Sequence, residues 1–248
     1  MILARSLVFN VLCYVGFLAL ALVLLPTLAF GRHAIFFAAR MWARMTLWLM
    51  ANIAGLTLEV RGREHLPTGG CIIACKHQSA LETFGIVPVL GDFAFILKRQ
   101  LNWVPIFGWY TSLSGMIGID RGGGSSALRS LVKPARAAVT EGRRIVIYPE
   151  GTRRMVGAAP SYKYGVSFLY GALDVPCVPV AVNTGLFWPR RSLLRRPGTA
   201  VVEFLQPIPP GLDRAAFARE LERRIEDATA RLVAEAALAA TRPRPAAA

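Results

Sequence analysis

Acidic residues are scarce in this chain. Its 248 residues include 15 Asp and Glu against 29 Lys and Arg, which gives a formal net charge of +14. A chain so poor in acid is expected to meet an anionic lipid surface, anionic substrates or nucleic acid. It contains no recognition-helix pattern, zinc-finger spacing or aromatic RNA-binding motif, and these absences argue against nucleic acid.

Cysteine and histidine are also rare, with four Cys and three His. All four cysteines lie in apolar runs, where thiols behave as small buried hydrophobes of a reducing compartment. Cys71 and Cys75 lie close to His77, which raises the question of a zinc site. Their spacing matches no standard zinc pattern and a fourth ligand is missing, so we predict no metal site. The two thiols are instead expected on one face of a buried strand.

Apolar residues are abundant and make up 54% of the chain. Residues 6–31 contain no charge, and about 20 apolar residues suffice to span a bilayer. A cleaved signal peptide is one alternative, although the basic start is weak, the run is long and no small-residue cleavage site follows. A long buried helix is another alternative. We predict a retained membrane anchor.

A second helix is predicted over residues 34–54 and is ended by Gly55. Arg40 and Arg44 share one of its faces, and bulky apolar side chains fill much of the rest. This pattern fits a helix in the lipid interface or the second arm of a hairpin that enters one leaflet. Residues 1–55 are therefore predicted to form a hydrophobic helix pair embedded in the membrane.

Beyond residue 55, short apolar strands alternate with helices. The predicted strands are residues 56–60, 71–75, 93–97, 116–119, 144–148, 177–182 and 200–204. The predicted helices are residues 79–88, 125–140, 164–172 and 213–240. This order predicts an α/β fold over residues 56–240, with a mixed central sheet flanked by helices. The Pro/Ala-rich tail at 241–248 is predicted to be disordered.

The most informative stretch is KHQSALE, residues 76–82, which follows an apolar strand. His77 leaves the end of that strand, and Glu82 can turn back towards it if a helix begins near Ser79. A carboxylate on one imidazole nitrogen fixes the tautomer and leaves the other nitrogen to accept a proton, as in a general base. A His near a Glu is more often structural. Of the three histidines, however, His77 alone ends an apolar strand.

A second polar turn, YPEGTRR at residues 148–154, also follows an apolar strand. Gly151 allows close backbone approach, and Thr152 and Arg153 supply donors. The turn formed by Glu150, Gly151 and Thr152 therefore suits a phosphate or a developing oxyanion. The alternative is an ordinary polar turn with a Glu–Arg pair on the surface.

Three cations follow predicted strands: Lys98, Arg121 and Arg153. Lys98 opens an aromatic loop, KRQLNWVPIFGWY, which fits an acyl tunnel, lipid headgroups or plain core packing. Arg121 precedes a Gly/Ser run that lacks the Gly-Lys-Ser/Thr ending of a nucleotide-binding loop. Further along, the prolines of VPCVPVAVN, residues 175–183, are typical of an edge strand or a bulge.

Four of these blocks, in this order, resemble the glycerolipid acyltransferase family. The family's first block, a His and an Asp separated by four residues, corresponds to His77 and Glu82. The second block resembles KRQLNWVPIFG, the family's F-P-E-G-T-R-S appears as YPEGTRR, and the fourth resembles VPCVPVAVN. The resemblance covers residues 76–183. Its main departure is Glu82 in place of Asp, which keeps the charge and adds one methylene.

The resemblance implies direct transfer of an acyl group from acyl-CoA or acyl-carrier protein to the sn-2 hydroxyl of 1-acyl-glycerol-3-phosphate, without a cofactor. It implies His77 as the base, Glu82 as its partner, and a phosphate site in the blocks that hold Lys98, Arg121 and Arg153. We expect an active site that faces the cytoplasm at the inner membrane. Three alternatives stay open: acylation of another lyso-lipid such as a lyso-ornithine lipid, a thioesterase reaction, and lipid binding without catalysis.

Overall fold

A seven-stranded sheet lies at the centre of the computed structural model, which describes residues 1–120, 122 and 124–241. Its strands are β1 Leu56–Arg61, β2 Cys71–Cys75, β3 Phe93–Lys98, β4 Ile117–Ile119, β5 Arg144–Ile147, β6 Cys177–Val182 and β7 Gly198–Phe204. Their order across the sheet is β1-β7-β6-β2-β5-β3-β4. Strands β6 and β7 pair antiparallel and the other neighbours pair parallel, so the predicted mixed α/β sheet is confirmed.

Helices cover both faces of this sheet. They are α1 Ile2–Val23, α2 Gly31–Leu49, α3 Leu81–Ile86, α4 Phe107–Leu113, α5 Gly124–Thr140, α6 Gly165–Leu173 and α7 Arg214–Thr241. A π-helical turn, Met50–Ala54, continues α2. The sequence patterns did not predict α4. Thr241 ends α7, and the rest of the predicted disordered tail lies outside the described residues.

The central strands are apolar on both sides because helices cover both sides. Every residue of β2 and of β6 is buried. Side chains alternate along a strand, so Cys71 and Cys75 face the α2 and α3 side, whereas Ile72 and Ala74 face α5, α6 and α7. The expectation that both thiols lie on one face of a buried strand is confirmed.

The proline-containing strand β6 lies inside the sheet, between β7 and β2, so of the two alternatives the edge strand is wrong. On its β7 side, β6 pairs antiparallel with the chain, first at Cys177↔Ile208 and then in the ladder that starts at Val180↔Phe204. The register of the two pairings differs by one residue. Pro179 lies within this irregular stretch, where its missing N–H does not interrupt a regular ladder. The bulge is the alternative that agrees with the structure.

Helix α1 is 22 residues long and contains an 18-residue stretch with a mean hydropathy of 2.3, of which only 28% is buried. Among the described residues it is the one helix that is long and apolar enough to cross a membrane. Helix α2 packs on the sheet through Phe36, whose ring centroid lies 4.7 Å from that of Phe93. The structure thus shows one candidate span rather than a pair.

A buried arginine fixes the start of α1 to the α/β domain. The Arg195 guanidinium donates to Asn10 Oδ1 at 2.6 Å and lies 4.0 Å from the ring centroid of Trp188. The Arg195 backbone N–H donates to Ser6 Oγ at 2.9 Å. The first turns of α1 therefore belong to the packed domain, and the apolar surface of α1 is concentrated on its other faces.

Candidate active site

The predicted site residues meet at one edge of the sheet. Parallel strands bring their carboxyl ends to the same edge. His77 follows β2, Glu150 follows β5, and Lys98 ends β3. Arg121 follows β4 but lies outside the described residues.

His77 and Glu82 form a hydrogen-bonded pair, with 2.8 Å between His77 Nδ1 and Glu82 Oε1. The chain turns between the end of β2 and Leu81, the first residue of α3, so Glu82 in the first helical turn faces back towards His77. A continuous helix would have placed residues five apart on different faces. The Glu82 side chain is fully buried, and that of His77 is 17% exposed.

Other donors also surround the Glu82 carboxylate. The backbone N–H groups of Gln78 and Ser79 donate to it at 2.9 and 2.8 Å. Thr184 Oγ1, just beyond β6, donates to Glu82 Oε2 at 2.6 Å. Buried carboxylates are tolerated where such donors satisfy their oxygens. The sequence patterns missed Thr184, whose position directly after the VPCVPVAVN block was the one available signal.

The ring of Tyr148 lies against the imidazole of His77, with centroids 3.9 Å apart and planes 21° apart. The Tyr148 hydroxyl forms a hydrogen bond of 2.7 Å with Thr83 Oγ1. Burial, with a smaller contribution from the negative charge of Glu82, raises the pKa of Tyr148 well above its usual value. Tyr148 is therefore a neutral ring that restricts the orientation of His77.

The turn that contains Glu150 holds the backbone of His77 at both ends. Glu150 Oε2 accepts the His77 N–H at 3.0 Å, and the His77 carbonyl accepts the Arg154 N–H at 2.8 Å. Glu150 is 1% exposed and pairs with Lys76 at 3.3 Å. The alternative of a Glu–Arg pair on the surface is therefore wrong.

The same turn presents Thr152 and Arg153 on the surface. Gly151 has a φ of +65°, which favours glycine, and its N–H donates to the Tyr148 carbonyl at 2.9 Å. That N–H is engaged in shaping the turn. Thr152 and Arg153 are thus the residues through which this turn would reach a substrate.

An apolar cavity of about 430 Å³ adjoins the pair. His77, Thr83, Tyr148 and Lys98 are among the residues that line it. Most of the wall is aliphatic or aromatic and comes from α1, α2, β3 and α4. Tyr110 Oη donates to the Ala21 carbonyl at 3.1 Å and so joins α4 to α1 across the wall. Cavities of this size and polarity are typical of ligand sites.

The described residues contain no group of three or more His, Cys, Asp or Glu side chains that could hold a metal ion. The side chains at this edge supply an imidazole, a carboxylate, hydroxyls and cations. A buried His–carboxylate pair beside an apolar cavity suits proton removal from a hydroxyl or from water close to a lipid-like chain.

Residues 57–183 match the sequence model of the acyltransferase family, and the chain therefore belongs to that family. Within it, the 1-acyl-sn-glycerol-3-phosphate acyltransferase of Pseudomonas aeruginosa is 37% identical over 166 residues, which cover 67% of this chain and 65% of that relative. The human 1-acyl-sn-glycerol-3-phosphate acyltransferase alpha is 31% identical over 169 residues, covering 67% and 60%. This chain thus spans less than two thirds of either relative. The family resemblance inferred from the motifs is confirmed.

A crystal structure of the LPA acyltransferase PlsC from Thermotoga maritima superposes with a TM-score of 0.77 at 19% identity. The superposition covers 98% of each chain. This likeness shows that the two chains share a fold from end to end.

Proposed function

We propose that the chain transfers a fatty acyl group from acyl-CoA or acyl-carrier protein to the sn-2 hydroxyl of 1-acyl-glycerol-3-phosphate. The products are phosphatidic acid and a free thiol. The observation that carries this proposal is the His77–Glu82 pair, at 2.8 Å, on the wall of an apolar cavity. The names of the relatives support the choice of acceptor.

The pair performs the reaction as a general base. With Nδ1–H donated to Glu82, the Nε2 atom of His77 accepts the proton of the acceptor hydroxyl. The hydroxyl oxygen forms a bond to the thioester carbonyl carbon, the carbon–sulfur bond breaks, and the imidazolium returns its proton to the leaving thiolate. The buried negative charge of Glu82 stabilises the imidazolium between these two steps.

Cations at the same edge hold the acceptor phosphate. Lys98 and Arg153 are both exposed, and Lys98 lines the cavity beside His77. Together with Arg121, they supply the positive charge that a phosphate monoester needs, and arginine can bind it in bidentate fashion. We assign the stabilisation of the oxyanion to Thr152, which the turn that holds Glu150 and Gly151 presents on the surface.

The apolar cavity takes an acyl chain, and the enzyme works where that chain meets water. Helix α1, with α2 beside it, is proposed to lie in the cytoplasmic leaflet of the inner membrane. Trp103, which precedes α4, is 73% exposed, and Trp109, which lies in α4, is 53% exposed. Both positions suit the headgroup region. The net charge of +14 attracts anionic lipids to this surface.

One assay tests the proposal. Purified protein is given labelled acyl-CoA or acyl-carrier protein with 1-acyl-glycerol-3-phosphate, a lyso-ornithine lipid, a lysophosphatidylcholine or no acceptor, and the products are identified by mass. We expect phosphatidic acid as the main product. A dominant lyso-ornithine product would move the assignment to that acceptor. Free fatty acid without an acceptor would indicate a thioesterase, and binding without turnover a lipid-binding protein.

A further inference from the structure

Lys76 is a buried cation that the reaction described above does not use. It directly follows β2 and is 4% exposed. Its Nζ atom lies 2.6 Å from Glu226 Oε1 and 3.3 Å from Glu150 Oε1. A lysine is seldom buried this completely unless carboxylates compensate its charge. Here two carboxylates do so, one from the turn after β5 and one from α7.

This lysine is directed away from the substrate side of the sheet. Its side chain continues the alternation of β2, in which Ile72 and Ala74 face α5, α6 and α7. The described lining of the apolar cavity includes His77 but not Lys76. Since its ammonium group is also held by two carboxylates, Lys76 is not placed to bind a phosphate.

Glu150 connects this lysine to the catalytic histidine. One Glu150 oxygen pairs with Lys76, and the other accepts the backbone N–H of His77 at 3.0 Å. Glu150 has a fully buried side chain, and among the described residues its ion-pair partner is Lys76. The lysine therefore supplies the compensating charge for the carboxylate that fixes the His77 backbone.

Tyr162 closes the far end of this network. Its hydroxyl lies 2.9 Å from Glu226 Oε1. Burial, followed by the neighbouring Glu226 charge, raises the pKa of Tyr162 far above its usual value. The hydroxyl therefore keeps its proton and donates a hydrogen bond to Glu226. An unbroken chain of contacts then runs from Tyr162 through Glu226, Lys76 and Glu150 to the backbone of His77.

We propose that Lys76 is a positioning residue for the base and that Glu226 of α7 is the second carboxylate that holds the Lys76 ammonium group in place. This proposal rests on the proposed function in taking His77 as the base. Lys76 holds Glu150 in place, Glu150 holds the His77 N–H, and the imidazole is thereby aimed at the cavity. Helix α7 thus contributes to catalysis from the face of the sheet opposite the substrate.

The kinetic test compares Lys76→Met with the double variant Lys76→Met/Glu150→Gln. Methionine keeps the length of the side chain but leaves a buried, uncompensated Glu150 charge, so we expect kcat to fall about 100-fold with little change in KM. Glutamine needs no cation, and its amide oxygen still accepts the His77 N–H. The double variant should therefore recover most of the lost kcat.

A second readout does not depend on activity. Hydrogen exchange of the backbone amide of His77, measured by mass spectrometry on a peptide that contains it, should be about ten-fold faster in Lys76→Met, because a weakened acceptor protects less. The rate should return towards that of the parent protein in the double variant. If the parent protein shows no acyl transfer, the proposed function fails, and hydrogen exchange still tests the position of Lys76.

The control is Asp227→Asn, which removes a charge from the next residue of α7, where the side chain is 68% exposed. It should leave both readouts unchanged. If Lys76→Met does not fold, Glu226→Gln replaces it, because that side chain is 27% exposed and the expected effects are smaller but in the same direction. The proposal is overturned if neither kcat nor the hydrogen exchange of the His77 amide recovers in the double variant relative to Lys76→Met. It is equally overturned if Lys76→Met raises only the KM for the lyso-lipid.

Discussion

On one face of the sheet, α5, α6 and α7 pack directly against the strands, and the Tyr170 and Phe217 rings stack with centroids 3.7 Å apart. On the other face, α1, α2 and α4 leave an apolar cavity of about 430 Å³. The two faces meet at the edge that follows β2. There Lys76 points to the packed face, and His77 lines the cavity.

This difference separates support from substrate. A close-packed interior has few voids and is hard to compress. The packed face can therefore hold the end of β2 in one position. The cavity face can then accept chains of variable shape without disturbing the base. If this division is correct, substitutions on the cavity side change turnover. Substitutions on the packed side change mainly stability, except where they break the Lys76–Glu150 contact that supports the backbone of His77.

The largest effect on turnover is expected from His77→Ala. Loss of the general base should lower kcat by about 1,000-fold or more, within the range observed for such groups. Folding and membrane binding should be retained, because the imidazole is partly exposed and not part of the core. The measurement is steady-state turnover with 1-acyl-glycerol-3-phosphate and an acyl thioester donor, together with flotation on vesicles.

His65→Ala is the matched control for this variant. His65 bonds the Phe204 carbonyl at 2.8 Å, away from the cavity, and its loss should leave kcat within a factor of about three. Near-normal activity of His77→Ala would remove the general-base assignment and the separation of the two faces with it.

The packed face is tested by Phe217→Ala. Phe217 is fully buried and stacks on Tyr170, so its truncation should lower the free energy of unfolding by about 3–5 kcal/mol. Thermal unfolding in detergent measures the loss. The folded fraction should retain a kcat within about three-fold of the parent, since this ring does not line the cavity. A kcat that fell as far as that of His77→Ala would show that the two faces are not separable.

The strands were predictable because each is a short apolar run bounded by turns. All seven lie where the pattern places them, and β2 and β6 agree at both ends. Helix α4 escaped prediction because it is only 7 residues long and is rich in aromatic residues that fit several environments. The prolines of β6 left an edge strand and a bulge both open, because the sequence does not show where the irregular pairing lies.

The site was predictable only where its residues are close in sequence. Glu82 lies five residues from His77, and the motif contains both. The contacts of Lys76 with Glu150 and Glu226 span 74 and 150 residues, and that of Thr184 with Glu82 spans 102. No local pattern predicts such contacts, because they depend on which strands become neighbours in the sheet.

A smaller effect is expected from Arg153→Ala on the rim of the cavity face. Removing one charged donor should raise the KM for 1-acyl-glycerol-3-phosphate about ten-fold and leave that for the acyl donor nearly unchanged. Arg191→Ala, at another exposed arginine, is the matched control. Equal changes in both KM values for Arg153→Ala would argue against a phosphate role.

The smallest effect is expected from Thr184→Val, which keeps the shape of the side chain and removes its donor to Glu82. Two backbone donors remain on the carboxylate, so kcat should fall about 5- to 10-fold, which corresponds to the loss of one ordinary hydrogen bond of about 1 kcal/mol. Thr184→Ser should restore the donor and most of the rate.

The same contact explains how a glutamate serves where the family has an aspartate. The additional methylene lets Oε2 reach Thr184 at 2.6 Å while Oε1 contacts His77. In Glu82→Asp the shorter side chain should lose one of these contacts. If it loses the one with Thr184, adding Thr184→Val should cost little more, and the two changes will be clearly non-additive in kcat. Additive losses would show instead that aspartate keeps Thr184 and gives up His77.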